Sequence, residues 1–246
     1  MGVGETVVVG LCPAVVVVVS GVLSSNLLVP MLTMHLAMII LPYIRDDTNY
    51  YKQYIRTASV DRVRLYLCVV LVAGLSVSMY LGYLVLNAEV FTDNGLAEML
   101  RKYQVDTWPV AAKVGWATYF VLLNPTIEEK FWRVFLPRVL LKGRVGLAAV
   151  PEEAQLDCIL PREADPRPSG EKLLISMLYG SYHFVVVSVL VDGILYGVVG
   201  YIFVVGVGLG LFSLIEAKRC GFYVAVAAHM GLDLGTVFAI ADASCK

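Results

Sequence analysis

The stretch Thr6–Ile44, TVVVGLCPAVVVVVSGVLSSNLLVPMLTMHLAMIILPYI, contains no charged residue and decides the fold class. A helix crosses a bilayer with about 20 apolar residues, so a run of this length fits two crossings. The polar residues 24–26 separate them, which predicts spans near 6–23 and 27–44. We expect helices even over the valine-rich part, because an isolated strand in lipid cannot satisfy its own backbone hydrogen bonds.

The rest of the 246-residue chain has the same character, with 59% hydrophobic and only 16% charged residues. Soluble domains carry about a quarter charged residues. Further apolar runs occupy residues 65–88, 109–123, 173–191, 193–215 and 220–240. The sequence therefore predicts an all-α integral membrane protein, a multi-pass helical bundle of about 7–8 membrane helices with lipids as its neighbours.

Charge and cysteine content exclude several other classes. The net charge of -1 gives no reason to expect a nucleic-acid partner. The five cysteines lack CxxC spacing and are interpreted as small apolar core residues. The loop 45–64 carries five basic residues and is predicted to be cytoplasmic by the positive-inside rule. Alternation from there puts loop 143–171 on the opposite face, whereas its own basic residues favour the cytoplasmic side, so topology after residue 124 stays open.

The segment 124–133, NPTIEEKFWR, places charge inside this apolar chain, which is costly in lipid and usually functional. Glu129 and Arg133 are four residues apart and share one helix face, whereas Glu128 lies about 100° further round the helix. The spacing predicts a structural pair, Glu129 with Arg133, and a separate carboxylate, Glu128, available for chemistry. An ordinary helix start at the membrane interface is the alternative, because Asn, Pro and Thr are common at helix N-termini.

The Asn124–Pro125 step predicts that a new helix begins at the glutamates. It would run over about 126–141 as a short, amphipathic and partly inserted element, and Pro137 would kink it or end it early. Residues 143–171 are the most hydrophilic part of the chain and contain several prolines. They are predicted to form an irregular extramembrane loop.

Few other polar residues fall at membrane depth. His229 and Asp233 are four residues apart on the last predicted span, and Tyr179 and His183 have the same spacing on an earlier one. Each such group needs a polar partner in lipid, and these groups can partner one another. His35, on the second span, is instead interpreted as a packing histidine that is hydrogen-bonded to a neighbouring helix.

Three motifs resemble the EExxxR, FxxxH and HxxxN/D motifs of the CPBP intramembrane proteases: Glu128-Glu129-x-x-x-Arg133, Tyr179-x-x-x-His183 and His229-x-x-x-Asp233. The family includes the CAAX prenyl proteases and bacteriocin-processing or self-immunity enzymes. The resemblance covers about residues 109–241. The chain departs from the family pattern in Tyr179, where phenylalanine is usual, in Val134, where glycine is common, and in the longer loop 143–171.

The resemblance implies a peptidase that works inside the bilayer. Glu128 with His183 would orient and deprotonate the water that attacks the scissile carbonyl. His229 would stabilise the oxyanion, and Asp233 would fix the tautomer of His229 or donate if protonated. The residues given a supporting role are Glu129, Arg133 and Tyr179.

The resemblance leaves the metal requirement open. Glu128, His183 and His229 could ligate a zinc ion that keeps a position for water. A metal-free glutamate mechanism fits the same residues and is the one that we favour.

The expected function is endopeptidase cleavage of a membrane-anchored peptide, in the first instance removal of the C-terminal tripeptide of prenylated CAAX proteins. A bacteriocin-processing or immunity protease is the alternative within the family. Rivals from other classes are a proton-coupled transporter, for which no inverted repeat is visible in the sequence, and a non-catalytic scaffold. Residues 1–108 are predicted to be N-terminal membrane helices for scaffolding and substrate access, and 109–246 a catalytic membrane core whose active site faces the cytoplasm.

Overall fold

The computed structural model describes residues 2–24, 28–44, 61–89, 95–145, 169–190, 194–216 and 221–244. Every regular element within these ranges is helical, which confirms the all-α prediction. The α-helices are α1 Gly2–Leu23, α2 Leu28–Ile44, α3 Arg62–Glu89, α4 Gly95–Lys102, α5 Val110–Thr118, α6 Asn124–Glu129, α7 Leu136–Val145, α8 Ser169–Leu190, α9 Ile194–Glu216 and α10 Phe222–Ala243.

Among the described residues, four helices are long and apolar enough to cross a membrane, judged by length and composition: α1, α3, α9 and α10. Helix α2 is also apolar but has only 17 residues. Most apolar side chains of α3 are exposed, as expected of a surface that faces lipid. These features are compatible with an integral membrane protein, while the count of about 7–8 crossings stays a prediction.

The helix that carries the glutamates does not begin at Asn124–Pro125, so the predicted break is wrong. Helices α5, α6 and α7 are joined by two π-helical stretches, Tyr119–Leu123 and Lys130–Phe135. The backbone at each junction keeps right-handed helical dihedral angles. We call the resulting continuous element, from Val110 to Val145, the glutamate helix.

Each proline of the glutamate helix is the second residue after the end of a π-helical stretch. The N–H of Asn124 donates to the carbonyl of Tyr119, five residues back, and Pro125 comes next. The N–H of Leu136 donates in the same way to Phe131, and Pro137 comes next. Where the backbone returns from hydrogen bonds to the fifth residue back to hydrogen bonds to the fourth, one carbonyl group receives no N–H. A proline, which has no N–H to donate, is therefore tolerated at this point. The sequence rule for proline therefore failed twice for the same physical reason.

The predicted extramembrane loop 143–171 is shorter in the structure at both ends. Helix α7 continues to Val145, and α8 begins at Ser169. The rest of this loop, like most of the basic loop 45–64, lies outside the described residues.

Helices α1 and α2 share one apolar core with the glutamate helix and α8. Its buried members come from both halves of the chain and include Val9, Met34 and Met38 together with Trp132 and Tyr182. The predicted division into 1–108 and 109–246 stays a prediction, but the two parts are packed against each other.

Helix α10 lies between α3 and the glutamate helix, and its two faces differ in chemistry. One face carries His229 and Asp233 toward the glutamates. The opposite face carries Gly231 and Gly235, which lie against the backbone of α3. A Cβ atom on Gly235 would lie 2.6 Å from the carbonyl oxygen of Ser76. Small residues at this spacing let two membrane helices approach closely.

We expect Gly235→Ala to destabilise the protein by about 1–3 kcal/mol, the usual cost of overpacking. The added methyl group would meet backbone, which cannot give way as a side-chain end can. The measurement is thermal unfolding of the purified protein in detergent. Gly74→Ala on α3 is the matched control, because a Cβ there meets nothing within 4 Å. Equal melting temperatures for the two variants would show that the α3–α10 contact tolerates an added methyl group.

Helices α8 and α9 also approach each other through glycines. A Cβ on Gly197 would collide with Ser188, and one on Gly208 would lie 2.9 Å from the hydroxyl of Ser176. Gly206 and Gly210, which have the same helical spacing in the sequence, face open space. Gly197 and Gly208 are therefore the glycines that let α9 pack closely against the face of α8 from which Tyr179 projects.

Candidate active site

The imidazole of His229 lies between the two glutamates. Its Nδ1–H donates to Glu129 Oε1 at 2.9 Å, and its Nε2 lies 3.7 Å from Glu128 Oε2. All three side chains are buried. Residues about 100 positions apart in the sequence therefore meet, and Glu128 and Glu129 face the same ring rather than different neighbours.

Among the described residues, Glu129 contacts both Arg133 and His229. Its Oε2 lies 3.5 Å from Arg133 Nε, which is the ion pair that the four-residue spacing predicts. The guanidinium of Arg133 lies over the ring of Tyr179, 4.2 Å from its centroid. Because Glu129 also accepts the His229 hydrogen bond, it connects the structural pair to the candidate catalytic histidine.

Asp233 does not fix the tautomer of His229, so that part of the expectation is wrong. Glu129 occupies Nδ1, and Asp233 Oδ1 lies 3.8 Å from Nε2 on the other side of the ring. Asp233 Oδ2 accepts a hydrogen bond of 2.8 Å from Asn124 Nδ2. Asn124, predicted to be a helix cap, thus holds Asp233 in the site.

His183 contacts the site through tyrosine rings. Its Nδ1–H donates to the Tyr179 carbonyl at 3.0 Å, because a carbonyl oxygen can only accept. Its ring packs on Tyr182 with centroids 4.0 Å apart. Between the described side chains of His183 and Glu128 there is no hydrogen bond or ion pair, so the structure brings these two residues into one neighbourhood but not into direct contact.

The two oxygens of the Glu128 carboxylate have different surroundings. Tyr182 Oη donates to Oε1 at 2.5 Å. Oε2 has no hydrogen-bond partner in the described part of the chain and faces His229 Nε2. Tyr179 Oη adds a further hydroxyl 3.4 Å from that nitrogen. Oε1 is therefore fixed by a hydrogen bond, and Oε2 is available to accept a proton.

Sequence reasoning missed four residues of the site: His35, Tyr119, Asn124 and Tyr182. His35 is hydrogen-bonded to a neighbouring helix, as predicted, because its Nδ1 lies 2.6 Å from Tyr119 Oη. Its Nε2, however, lies 3.7 Å from Glu128 Oε1, inside the site. His35 could have been identified from the sequence by the rule that an ionisable residue within a membrane span is functional by default.

The metal-free mechanism that we favour stays a prediction. Within the ranges that the structure describes, no three His, Cys, Asp or Glu side chains gather into a group that could hold a metal ion. The Nε2 atoms of His183 and His229 have the right tautomer for ligation, since Nδ1 donates in both. No third ligand side chain joins them in such a group within the described ranges, and the mechanism proposed below uses the side chains alone.

Compared with known proteins, the chain matches no protein-family model, no curated protein and no solved structure. The function of the site therefore rests on its own chemistry. Three carboxylates, two imidazoles and one guanidinium are buried among apolar helices, with the half-buried His183 beside them, and together they form a cluster able to hold and move protons.

Proposed function

We propose that this protein is an intramembrane endopeptidase of the CPBP type, in which Glu128 activates a water molecule. The observation that carries the proposal is the meeting of Glu128 and His229, with an unpartnered carboxylate oxygen 3.7 Å from an imidazole nitrogen. A water between them would have a proton acceptor on one side and an imidazole on the other. The alternative of an ordinary interfacial helix start does not account for two glutamates that are buried and face one histidine.

The proposed reaction begins when Glu128 Oε2 takes a proton from the water as its oxygen attacks the scissile carbonyl. Such general-base help contributes typically 10²–10⁴-fold. In this step His229 is an imidazolium: its Nδ1–H donates to Glu129, and its second proton, on Nε2, donates to the oxyanion. The C–N bond then breaks as Glu128 returns its proton to the leaving amine. Asp233 and Tyr179 stand within 4 Å of Nε2 and complete the donor–acceptor set.

We propose that the substrate is a peptide tethered near a membrane face, with the C-terminal tripeptide of a prenylated CAAX protein as the leading case. His229 lies seven residues from the start of α10, about 10 Å deep by helix rise. The ion pair between Lys172 Nζ and Glu216 Oε2, 2.8 Å apart, lies near the start of α8 and the end of α9, toward the same end of the bundle. A lipidated tail would present its peptide bonds at about this depth.

We place this end at the cytoplasmic side and the remaining apolar helices in the bilayer, giving about 7–8 crossings.

The test uses purified protein in detergent and two fluorescent peptides that end in the same CAAX sequence, one farnesylated and one not. We expect the farnesylated peptide to be cut before its last three residues at least about 10-fold faster, since the lipid brings the bond to the depth of the site. Turnover is followed by fluorescence and the products by mass spectrometry.

Equal turnover of the two peptides would show that the lipid is not recognised and would favour the bacteriocin-processing type of protease. No cleavage of either, together with Glu128-dependent proton uptake into proteoliposomes, would favour the transporter. Loss of turnover on adding a zinc chelator, with recovery on adding zinc, would show that a metal is needed after all.

A further inference from the structure

His35 brings an imidazole from the N-terminal helices into the candidate active site. It projects from α2, is buried, and lies between two groups of the glutamate helix. Its Nδ1 is 2.6 Å from Tyr119 Oη, and its Nε2 is 3.7 Å from Glu128 Oε1. Nε2 has no hydrogen-bond partner among the described residues, and the Glu128 carboxylate is the charged group that it faces. None of the three motifs includes this histidine.

The surroundings of the ring select one tautomer. If Nδ1 carried the only proton, the lone pair of Nε2 would face the Glu128 carboxylate, and two acceptors would oppose each other in a site of low dielectric constant. If Tyr119 O–H donates to Nδ1, Nε2 carries the proton and points it at Oε1. A carboxylate at Glu128 therefore favours the chain of donors Tyr119 to His35 to Glu128.

We propose that His35 is a positioning residue for Glu128, a role that rests on the proposed peptidase function. Together with Tyr182, which donates to the same Oε1, it holds one carboxylate oxygen from two sides. The other oxygen, Oε2, is thereby fixed toward His229 and the attacking water. The N-terminal helices thus contribute to the chemistry and do not serve as scaffold alone.

The first test compares substitutions at His35 by turnover of the farnesylated peptide. His35→Leu removes the donor and is expected to lower kcat by up to about 100-fold, the effect of misplacing a catalytic group by roughly 1 Å. KM should stay within about 2-fold, because His35 does not contact the substrate in the proposed arrangement. His35→Gln, whose amide nitrogen can reach the position of Nε2, should recover most of the lost kcat. Met34→Leu, one residue away on α2 and also buried, controls for packing and should leave kcat unchanged.

The second test needs no enzymatic activity. The chain has three histidines, so imidazole nitrogen resonances of the ¹⁵N-histidine-labelled protein in detergent can be assigned by comparison with His35→Gln. We expect the Nε2 of His35 to be protonated, and its signal to shift in Glu128→Gln. Tyr119→Phe should shift the Nδ1 signal of the same ring.

The two tests separate failure of this proposal from failure of the proposed function. If the wild-type protein cuts neither peptide, the peptidase function fails, and the resonances still decide whether His35 points its proton at Glu128. A proton on Nδ1 alone, or a His35 signal that Glu128→Gln does not move, would overturn the positioning role. A leucine variant with lowered kcat that glutamine does not rescue would overturn it as well, since packing alone would then explain the loss.

Discussion

Glu128→Gln is expected to lower turnover of the farnesylated peptide by at least about 10²–10⁴-fold, the contribution of a positioned general base. The substitution keeps the size of the side chain and an oxygen that can accept from Tyr182, as Oε1 does now. It replaces the second oxygen and the negative charge by an amide nitrogen, which cannot take a proton from water. Thermal stability should therefore change little while kcat falls and KM stays close to that of the wild type.

The control for this variant is Glu98→Gln on α4, where the glutamate is exposed and far from the motifs in sequence. It should retain full turnover. If Glu128→Gln kept more than about a tenth of the wild-type kcat, the loss would be too small for a general base. Glu129 would then be the next candidate, since it is the other carboxylate at the His229 ring.

Removing the Glu129 carboxylate is expected to have the largest effect on folding. Glu129→Leu leaves the buried Arg133 facing an apolar side chain, and breaking a buried ion pair from one side costs about 3–5 kcal/mol. Folded yield and melting temperature should both drop. Turnover should also be lost, because His229 Nδ1 loses its acceptor.

The double variant Glu129→Leu/Arg133→Leu separates these two effects. Replacing both members of a buried pair by apolar residues is often close to neutral for stability. We therefore expect much of the melting temperature to return, while turnover stays lost because His229 is still unsupported. Recovery of both would mean that Glu129 acts on folding alone, as the four-residue spacing predicts. Circular dichroism in detergent and the farnesylated-peptide assay measure the two quantities.

The sequence predicts the helices well, because an isolated apolar run in lipid can satisfy its own backbone hydrogen bonds as a helix but not as a strand. The bounds of α1 and α10 agree with the predicted spans to within a few residues. The contact of Glu129 with Arg133 was also predictable, since it depends only on spacing within one helix. Features set within one helix therefore follow from the order of residues along it.

Features set by contacts between helices are not predictable in the same way. Nothing in the spacing of α10 indicates that Glu129, rather than Asp233, receives the His229 Nδ1–H. Likewise, His35 lies 84 residues from Tyr119, and no local pattern connects them. The continuous path through Pro125 escaped prediction because the rule for proline assumes α-helical hydrogen bonding on both sides.

The two π-helical stretches differ in how they would tolerate a change in chain length. Each stretch accommodates one extra residue in a widened turn, so losing one residue there restores α-helical hydrogen bonding with little rotation of the flanking turns. Ahead of the glutamates, the preceding helix α5 has no buried side chain, so the main cost of such a loss is the contact between Tyr119 and His35. Behind them, the stretch Lys130–Phe135 is almost entirely buried and carries Arg133. The protein can therefore lose a residue ahead of its glutamates at little cost to folding, whereas a loss between Glu129 and Arg133 would remove a residue from a buried turn and shorten the four-residue spacing of their ion pair.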